Sequence, residues 1–140
     1  MNRQTLPAQL AAHYARAVDD RDFAAMEGIM WPEFTQEGPG FGADSRAVFI
    51  GNLEFLRQFD RTFHLLGQVT GSWQDDVYTG ETYCVASHFY QREGRQLCLD
   101  MYIRYQDVIE VRAGEGRYLQ RNLAVVAQDE RELRTPSFGG

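Results

Sequence analysis

The chain has 140 residues, of which 44% are hydrophobic and 13% aromatic, and its formal net charge is -6. This length favours one domain with a substantial core, and the composition is typical of a folded chain rather than a disordered one. The acidic balance, without a Lys/Arg cluster, argues against binding to a nucleic-acid backbone or to an anionic membrane surface. Nucleic acid and membrane are therefore excluded as expected partners.

The sequence also predicts a cytoplasmic protein without a metal or other cofactor. No window approaches the ~18 apolar residues of a membrane span, and residues 1–7 lack the apolar run of a signal peptide. Cys84 and Cys98 lie in strand-like runs without zinc-binding spacing, so we expect them to be buried and reduced. The three histidines are scattered, which makes a weak ligand set for a metal.

Helical periodicity marks the start of the chain. Apolar residues from Leu6 to Ala17 recur at helical spacing and predict a helix over residues 6–19, with Thr5 as its N-cap. Asp22 is expected to cap a short second helix. That helix ends before Trp31-Pro32, because the residue before a proline avoids helical dihedrals.

The next segment predicts a short strand, a loop and a third helix. Residues 33–37 fit a short strand, and the glycines and proline of residues 38–42 indicate a loop. A third helix is expected over residues 46–59, with Asp44 or Ser45 as its N-cap.

The second half of the chain changes to strand periodicity. Four long segments rich in β-branched and aromatic residues predict strands at residues 63–73, 77–91, 95–111 and 117–128. Helices first and long antiparallel strands second indicate an α+β fold. We expect a single domain over residues 1–128, in which a curved sheet of four to six strands wraps around helices on one face and leaves a cone-shaped cavity. Residues 129–140 are expected to form a polar tail.

Asp19 and His64 are the first candidates for chemistry. His64 opens the first long strand, and Asp19 lies at the end of the first helix, where its carboxylate could turn inward. A carboxylate hydrogen-bonded to one imidazole nitrogen fixes the tautomer and leaves the other nitrogen as a base. The simpler interpretation of each histidine is a packed or surface side chain, of Asp22 an N-cap, and of Asp20 an exposed acid.

The penultimate and last strands carry further polar candidates. Met101, Ile103, Tyr105 and Asp107 share one strand face, which we interpret as facing the core. Tyr105 and Asp107 then need polar partners. Arg121 alternates with leucines, so it too is expected to point inward, where it pairs with a carboxylate or holds an anionic oxygen.

These features carry a family resemblance over residues 6–128. The matching stretches are Tyr14 with Asp19 five residues later, Asp19-Asp20-Arg21-Asp22-Phe23, Thr62-Phe63-His64, Arg104-Tyr105-Gln106-Asp107 and Gln120-Arg121-Asn122. Together they resemble the SnoaL-like group of the nuclear-transport-factor-2-like superfamily, whose members are cone-shaped α+β barrels. The closest branch is that of scytalone dehydratase and lindane dehydrochlorinase.

The resemblance implies site residues. The catalytic aspartate and histidine of that branch correspond to Asp19 and His64, and the final-strand arginine of the dehydrochlorinase corresponds to Arg121. His88 lies near the position of the dehydratase's second histidine. The chain departs from the family pattern in the turn before the last strand, where Glu115-Gly116-Arg117-Tyr118 lacks the usual tryptophan.

The main functional hypothesis is a cofactor-independent lyase. His64, oriented by Asp19, removes a proton, and Tyr14, Tyr105 or Arg121 donates to the developing oxyanion or leaving group. The reaction is a dehydration, another β-elimination or a retro-aldol deformylation of a small hydrophobic or aromatic hydroxylated substrate. The residues expected to line its binding site are Trp31, Phe34, Phe49, Phe55, His88, Tyr90, Tyr105 and Tyr118.

Two other functions fit the same sequence. An isomerase or polyketide cyclase of this fold would use the acid alone as its base. A non-catalytic binding or association module would keep Asp19 and His64 as a satisfied buried pair. In each case the resemblance implies a homodimer or homotrimer that associates through the sheet.

Overall fold

The computed structural model describes residues 2–134. Within this range, no helix is long and apolar enough to cross a membrane. The elements in chain order are α1 (Leu6–Asp19), a first 3₁₀ helix (Phe23–Gly28), β1 (Met30–Gly38), β2 (Phe41–Ala43), α2 (Arg46–Asn52), a second 3₁₀ helix (Leu53–Gln58), β3 (Arg61–Gln74), β4 (Val77–Arg92), β5 (Arg95–Arg112) and β6 (Glu115–Glu132).

All six strands belong to one curved sheet. Their order is β2-β1-β6-β5-β4-β3, with β1 parallel to β6 and every other pair antiparallel. The edge strands β2 and β3 do not pair with each other, so the expected cone-shaped barrel is an open sheet rather than a closed one. The helices cover its inner face, with α1 packed against β3. The predicted α+β fold is confirmed.

Helix α1 has the bounds that its periodicity predicts. Leu6, Leu10, Tyr14 and Val18 are buried on the side that faces the sheet. Burial of each large apolar side chain stabilises the fold by roughly 1.5–3 kcal/mol. Thr5 occupies the N-cap position, but its side chain makes no capping hydrogen bond to the helix.

The predicted third helix divides into two parts. The Ser45 hydroxyl accepts a hydrogen bond from the Val48 N–H at 3.2 Å and caps α2. Gly51 and Asn52 are weak helix formers, and α2 ends there and continues as the second 3₁₀ helix. The single helix predicted over residues 46–59 was wrong in this respect.

The first strand is longer than its sequence indicates. β1 begins at Met30 and includes Pro32. The pairing of β1 with β6 is irregular between Met30 and Thr35, so the missing N–H of Pro32 removes no regular ladder bond. The predicted loop is a tight hairpin that leads into β2, with Gly40 at φ +77° in its turn.

The long strands lie where they were predicted, with ends extended by a few residues. The largest extension is in β6, where Asp129 pairs with Asp100 and Glu132 with Leu97. Residues 129–132 therefore belong to the sheet rather than to the expected tail. Residues 135–140 of that tail lie outside the described residues.

Strand register places the functional side chains on the inner face of the sheet. His64 pairs with Ala86, and Ala86 pairs with Met101 on the next strand. Because directly paired residues point to the same side, this row faces the helices. The adjacent row, in which His88 pairs with Thr62, faces the same way.

Candidate active site

A cavity of about 680 Å³ lies between the helices and the inner face of the sheet. Its volume is within the range of small-molecule sites. Most of its wall is apolar and comes from Val18, Phe41, Phe49, Leu53, Phe55, Leu56, Phe59, Ala86, Leu99, Met101, Ile103 and Leu123. Its polar side chains are those of Tyr14, Gln36, Asn52, His64, His88 and Tyr105.

Asp19 and His64 form a hydrogen-bonded pair beside this cavity. Asp19 Oδ1 lies 2.7 Å from His64 Nδ1, and Asp19 Oδ2 accepts the backbone N–H of His64 at 2.9 Å. The Thr62 hydroxyl donates to Asp19 Oδ1 at 2.9 Å. The side chain of His64 is 7% exposed and that of Asp19 is 24% exposed. Two regular elements thus hold the pair in place. Helix α1 ends at Asp19, and strand β3 carries both Thr62 and His64.

The protonation of the pair follows from the hydrogen bonds to Asp19. Partial burial alone would raise the pKa of the Asp19 carboxyl, but the hydrogen bonds from His64 and Thr62 outweigh it and lower the pKa below its usual value. An ionised carboxylate can only accept, so Nδ1 of His64 carries the proton of the neutral ring. The lone pair of the neutral ring is then on Nε2. His64 lines the cavity and Asp19 does not.

Two tyrosines of the cavity wall lie next to each other. The rings of Tyr14 and Tyr105 are 5.6 Å apart in an edge-on arrangement. Burial raises the pKa of both phenols, and the raised value keeps them protonated through neutral pH. As protonated phenols of the cavity wall, both can donate a hydrogen bond to a bound ligand.

Arg121 lies behind these tyrosines rather than in the cavity wall. Its Nε donates to Asp107 Oδ1 at 2.9 Å, and the Thr82 hydroxyl donates to Asp107 Oδ2 at 2.8 Å. The guanidinium carbon is 3.8 Å from the ring centre of Tyr105 and 4.3 Å from that of Tyr14. Both Nη atoms are buried without a hydrogen-bond partner, so the aromatic faces are what surrounds this charge. The sequence led us to expect that Arg121 either pairs with a carboxylate or holds an anionic oxygen, and it pairs with a carboxylate. The rings of the two tyrosines separate it from the cavity.

His88 faces the cavity next to His64. The two ring centres are 6.4 Å apart, and His88 Nδ1 lies 3.3 Å from the Leu99 carbonyl. A carbonyl only accepts, so Nδ1 carries the proton of a neutral ring. Burial lowers the pKa of His88, which favours that neutral form. Nε2 is then an acceptor for a hydroxyl group of a ligand.

The other residues predicted to bind substrate divide into two groups. Phe49 and Phe55 line the cavity together with Tyr105 and His88. Trp31, Phe34, Tyr90 and Tyr118 do not line it, and each has a different packing role.

Trp31 and Tyr90 are half-buried outside the cavity wall. The indole N–H of Trp31 donates to the Glu110 carbonyl at 2.9 Å, and two arginines lie against the ring. The Tyr90 hydroxyl donates to Glu130. Phe34 and Tyr118 are fully buried in the core. These four were selected by their aromatic residue type, which does not distinguish the wall of a cavity from other packed positions.

Several wall residues carried no functional signal in the sequence. Gln36 and Phe41 come from the first hairpin, whose geometry was not predicted, and Asn52 lies at the break in the third helix. Leu56 and Phe59 lie in the range of the predicted third helix, to which no functional role was assigned. Within residues 2–134, no group of three or more His, Cys, Asp or Glu side chains is arranged to hold a metal ion.

Comparisons with known proteins agree with this architecture. The family model of the SnoaL-like domain matches residues 8–121. A candidate scytalone dehydratase from Novosphingobium aromaticivorans is 18% identical, with a TM-score of 0.78 over 91% of this chain and 86% of that one. A hexachlorocyclohexane dehydrochlorinase is 13% identical, with a TM-score of 0.77 over 94% of this chain and 88% of that one.

A third structure, ActVI-ORFA from Streptomyces coelicolor, is 18% identical, with a TM-score of 0.71 over 85% of this chain and 93% of that one. At these identities the structural matches establish the fold. A comparison with curated protein sequences found no significant match.

Proposed function

The chain belongs to the SnoaL-like family, and from this premise we propose that it is a cofactor-independent lyase in which His64 is the general base. The observation that carries the proposal is the pair of contacts on the His64 ring. Asp19 Oδ1 lies 2.7 Å from His64 Nδ1, and the His64 ring forms part of the wall of a largely apolar cavity. A base held in one tautomer and facing a preformed, largely apolar pocket is suited to proton abstraction.

The wall of the cavity supports a substrate that is largely hydrophobic and carries a hydroxyl group. Its aromatic and aliphatic side chains favour a ring of carbon atoms. The few polar groups are of two kinds: the phenols of Tyr14 and Tyr105 donate, and the Nε2 of a neutral His88 accepts. A hydroxylated aromatic or alicyclic compound satisfies both kinds.

The elimination reaction follows from these positions. His64 Nε2 takes a proton from the carbon next to the carbon that bears the leaving group, and the electron pair of that C–H bond forms a C=C bond. The C–O bond breaks, and the departing hydroxyl takes a proton from a tyrosine and leaves as water. The His64 imidazolium returns a proton to the tyrosinate, so the enzyme is regenerated. General base catalysis of this kind supplies about 10²–10⁴-fold in rate.

A retro-aldol cleavage uses the same base differently. His64 then takes the proton of a substrate hydroxyl, the adjacent C–C bond breaks, and a small aldehyde leaves as its carbonyl forms. The remaining carbanion takes up the proton held by the His64 imidazolium, so the base is regenerated. One similar structure is named as a candidate scytalone dehydratase and another as a hexachlorocyclohexane dehydrochlorinase. Loss of water and loss of hydrogen chloride are therefore the first reactions to assay.

The alternative in which the acid alone is the base receives less support from the site. The Asp19 carboxylate accepts three hydrogen bonds and does not line the cavity. An isomerase or cyclase that used Asp19 directly would need this carboxylate to reach the substrate.

The test is an activity screen in which three kinds of product are detected. Wild-type protein is incubated with scytalone, with hexachlorocyclohexane and with aryl β-hydroxy ketones, and the assays follow the absorbance of a new double bond, chloride and formaldehyde. Turnover in one arm is expected to fall at least about 10²-fold in both Asp19→Asn and His64→Ala. His13→Ala is the matched control, because His13 is an exposed histidine of α1.

Three results would count against the proposal. Full activity in both Asp19→Asn and His64→Ala removes the pair from the reaction. Activity that survives only in His64→Ala favours the isomerase or cyclase mechanism. Binding of the three compounds without turnover in any arm favours a non-catalytic binding module.

A further inference from the structure

Arg21 follows helix α1 in a backbone conformation that favours glycine. Its φ is +58°. The Arg21 N–H donates to the Val18 carbonyl at 3.1 Å, and the Asp22 N–H donates to the Ala17 carbonyl at 2.8 Å. This pair of bonds is the Schellman ending of a helix, whose left-handed position most often holds glycine. An arginine in that position strains the backbone, so its side chain requires an explanation.

The side chain of Arg21 connects three elements around the catalytic pair. Nη1 donates to the Val18 carbonyl of α1 at 2.8 Å and to Thr62 Oγ1 of β3 at 2.8 Å. Nη2 donates to the Leu56 carbonyl of the second 3₁₀ helix at 3.3 Å. Val18 and Leu56 are both wall residues of the cavity. Arg21 therefore joins the cavity wall to the strand that carries His64.

The contact with Thr62 determines the direction of a hydrogen bond. A guanidinium has donors and no acceptor, so Thr62 Oγ1 must accept from Arg21. The single hydroxyl proton of Thr62 is then free to point at Asp19 Oδ1, 2.9 Å away. The same Asp19 oxygen is the one that accepts from His64 Nδ1. A chain of oriented hydrogen bonds thus runs from Arg21 through Thr62 and Asp19 to His64.

We propose that Arg21 is a positioning residue, whose guanidinium orients the Thr62 hydroxyl and thereby holds the Asp19 carboxylate against His64. Its effect on turnover rests on the proposed function, but its effect on the Asp19–His64 hydrogen bond does not. Arg21 does not line the cavity and acts through the side chains of Thr62 and Asp19.

The test compares variants that remove one link of the chain at a time. Arg21→Gly removes the side chain and suits the left-handed backbone, and Thr62→Val replaces the hydroxyl by a methyl group. Both variants are expected to raise the pKa of Asp19 and to move the NMR resonance of the His64 Nδ1–H. The Asp19 titration is followed by NMR through its carboxyl carbon. We expect kcat to fall about 10-fold, with KM little changed.

Three further variants separate positioning from simple stabilisation. Thr62→Ser keeps the hydroxyl and is expected to retain the wild-type signals. Arg21→Gly combined with Thr62→Val is expected to behave like Thr62→Val alone, because Arg21 acts through that hydroxyl. Glu93→Gly relieves an exposed turn residue with φ +54° and controls for the backbone change.

The proposal is overturned if Arg21→Gly leaves both the Asp19 titration and the His64 Nδ1–H resonance at their wild-type positions. If Arg21→Gly does not fold, unchanged signals in Thr62→Val overturn it equally. These signals need no substrate. A failure of the proposed lyase function would appear instead as full activity in His64→Ala, or as binding of the compounds without turnover, so the two failures are distinguishable.

Discussion

Three donors converge on the Asp19 carboxylate, and its hydrogen bonds stabilise the ionised form. The lowered pKa of Asp19 has a consequence for stability, because a group whose pKa is lower in the folded chain binds fewer protons there. Its contribution is fully present above the unfolded-state pKa of about 3.9 and is lost as the pH falls through the folded-state value.

We therefore expect Asp19→Asn to be less stable than wild type near neutral pH, by on the order of 1 kcal/mol. The difference should shrink as the pH falls below about 4, where the wild-type carboxyl becomes protonated. Urea unfolding of both proteins at several pH values measures it. Asp20→Asn, an exposed acid one residue along the chain, is the control and should show no such difference. An Asp19→Asn deficit that is independent of pH would contradict this account.

Tyr14 is the second residue whose environment leads to a prediction. Burial raises its pKa, so its phenol stays protonated at the alkaline end of an ordinary activity profile. With the lyase reaction as proposed, Tyr14→Phe should lower kcat by about 10²-fold, as loss of a donor to a developing charge does. Tyr102→Phe, on the outer face of the sheet, should leave kcat unchanged. Equal activity in Tyr14→Phe and wild type would assign the donor role to another group, with Tyr105 as the first alternative.

At the scale of elements, the β1–β2 hairpin shapes the mouth of the cavity. The ring of Phe41 lies over Gly38, so closely that a Cβ on Gly38 would come within 2.2 Å of a ring atom. Phe41 is 44% exposed and also contributes to the cavity wall. The absence of a side chain at Gly38 thus allows an aromatic ring to lie at the entrance.

Gly38→Ala should move the Phe41 ring without unfolding the hairpin, because the atoms in conflict are the far end of a side chain. We expect KM for a hydrophobic substrate to change several-fold and kcat to change less, since the proposed catalytic residues Asp19 and His64 are on other elements. Steady-state kinetics and thermal unfolding measure the two effects. Gly28→Ala is the control, because no atom lies within 4 Å of the added carbon. An unchanged KM would show that Phe41 does not contact the substrate.

The elements differ in how far their sequences specify them. Helix α1 is predictable because its apolar residues follow one helical stripe, and the long strands because β-branched and aromatic residues fill them. The inclusion of Pro32 in β1 depends on the neighbouring strand, which local propensity does not describe. The break after Asn52 agrees with the weak helix propensity of Gly51 and Asn52, but that propensity alone does not fix where the helix ends. The β1–β2 hairpin, which carries Phe41, was predicted in part. Its glycines indicate a turn, but they do not indicate that the short strand β2 follows.

The Asp19–His64 pair itself is less predictable than the elements that carry it. Asp19 and His64 are 45 residues apart in sequence, and only the family resemblance brings them together before the fold is known. Residue type alone selected Trp31 and Tyr90 for the binding site, although neither lines the cavity. Arg21 gave no signal because its role depends on the direction of hydrogen bonds.

At the scale of the whole molecule, the outer face of the sheet carries exposed apolar side chains. Leu65 pairs with Val85, and Val85 pairs with Tyr102, so the three point to the same side, away from the helices. Leu65 is 60% exposed and Phe63, two residues earlier on the same strand, is 58% exposed. Contiguous apolar surface of this kind is typical of an interface.

We expect the protein to form a homodimer or homotrimer through this face. Sedimentation velocity should give a species of two or three times the 16.1 kDa chain. Leu65→Lys combined with Tyr102→Lys should shift it toward monomer, because charges at an apolar interface are costly to bury. Val48→Lys, an exposed apolar residue of α2, is the control. A wild-type monomer at tens of micromolar, or an oligomer that the double variant does not affect, would contradict this expectation.

The central claim is that Asp19 fixes the His64 ring with its free nitrogen available to the cavity. The most direct measurement is long-range ¹H–¹⁵N NMR of the histidine rings in wild type and Asp19→Asn, with and without a panel of phenols and naphthols. At a pH where the ring is neutral, the account predicts a proton on His64 Nδ1, a free Nε2 whose signal moves when a ligand binds, and a mixture of tautomers in Asp19→Asn. A proton on Nε2 in wild type, or ring signals that respond neither to the substitution nor to any ligand, would contradict it.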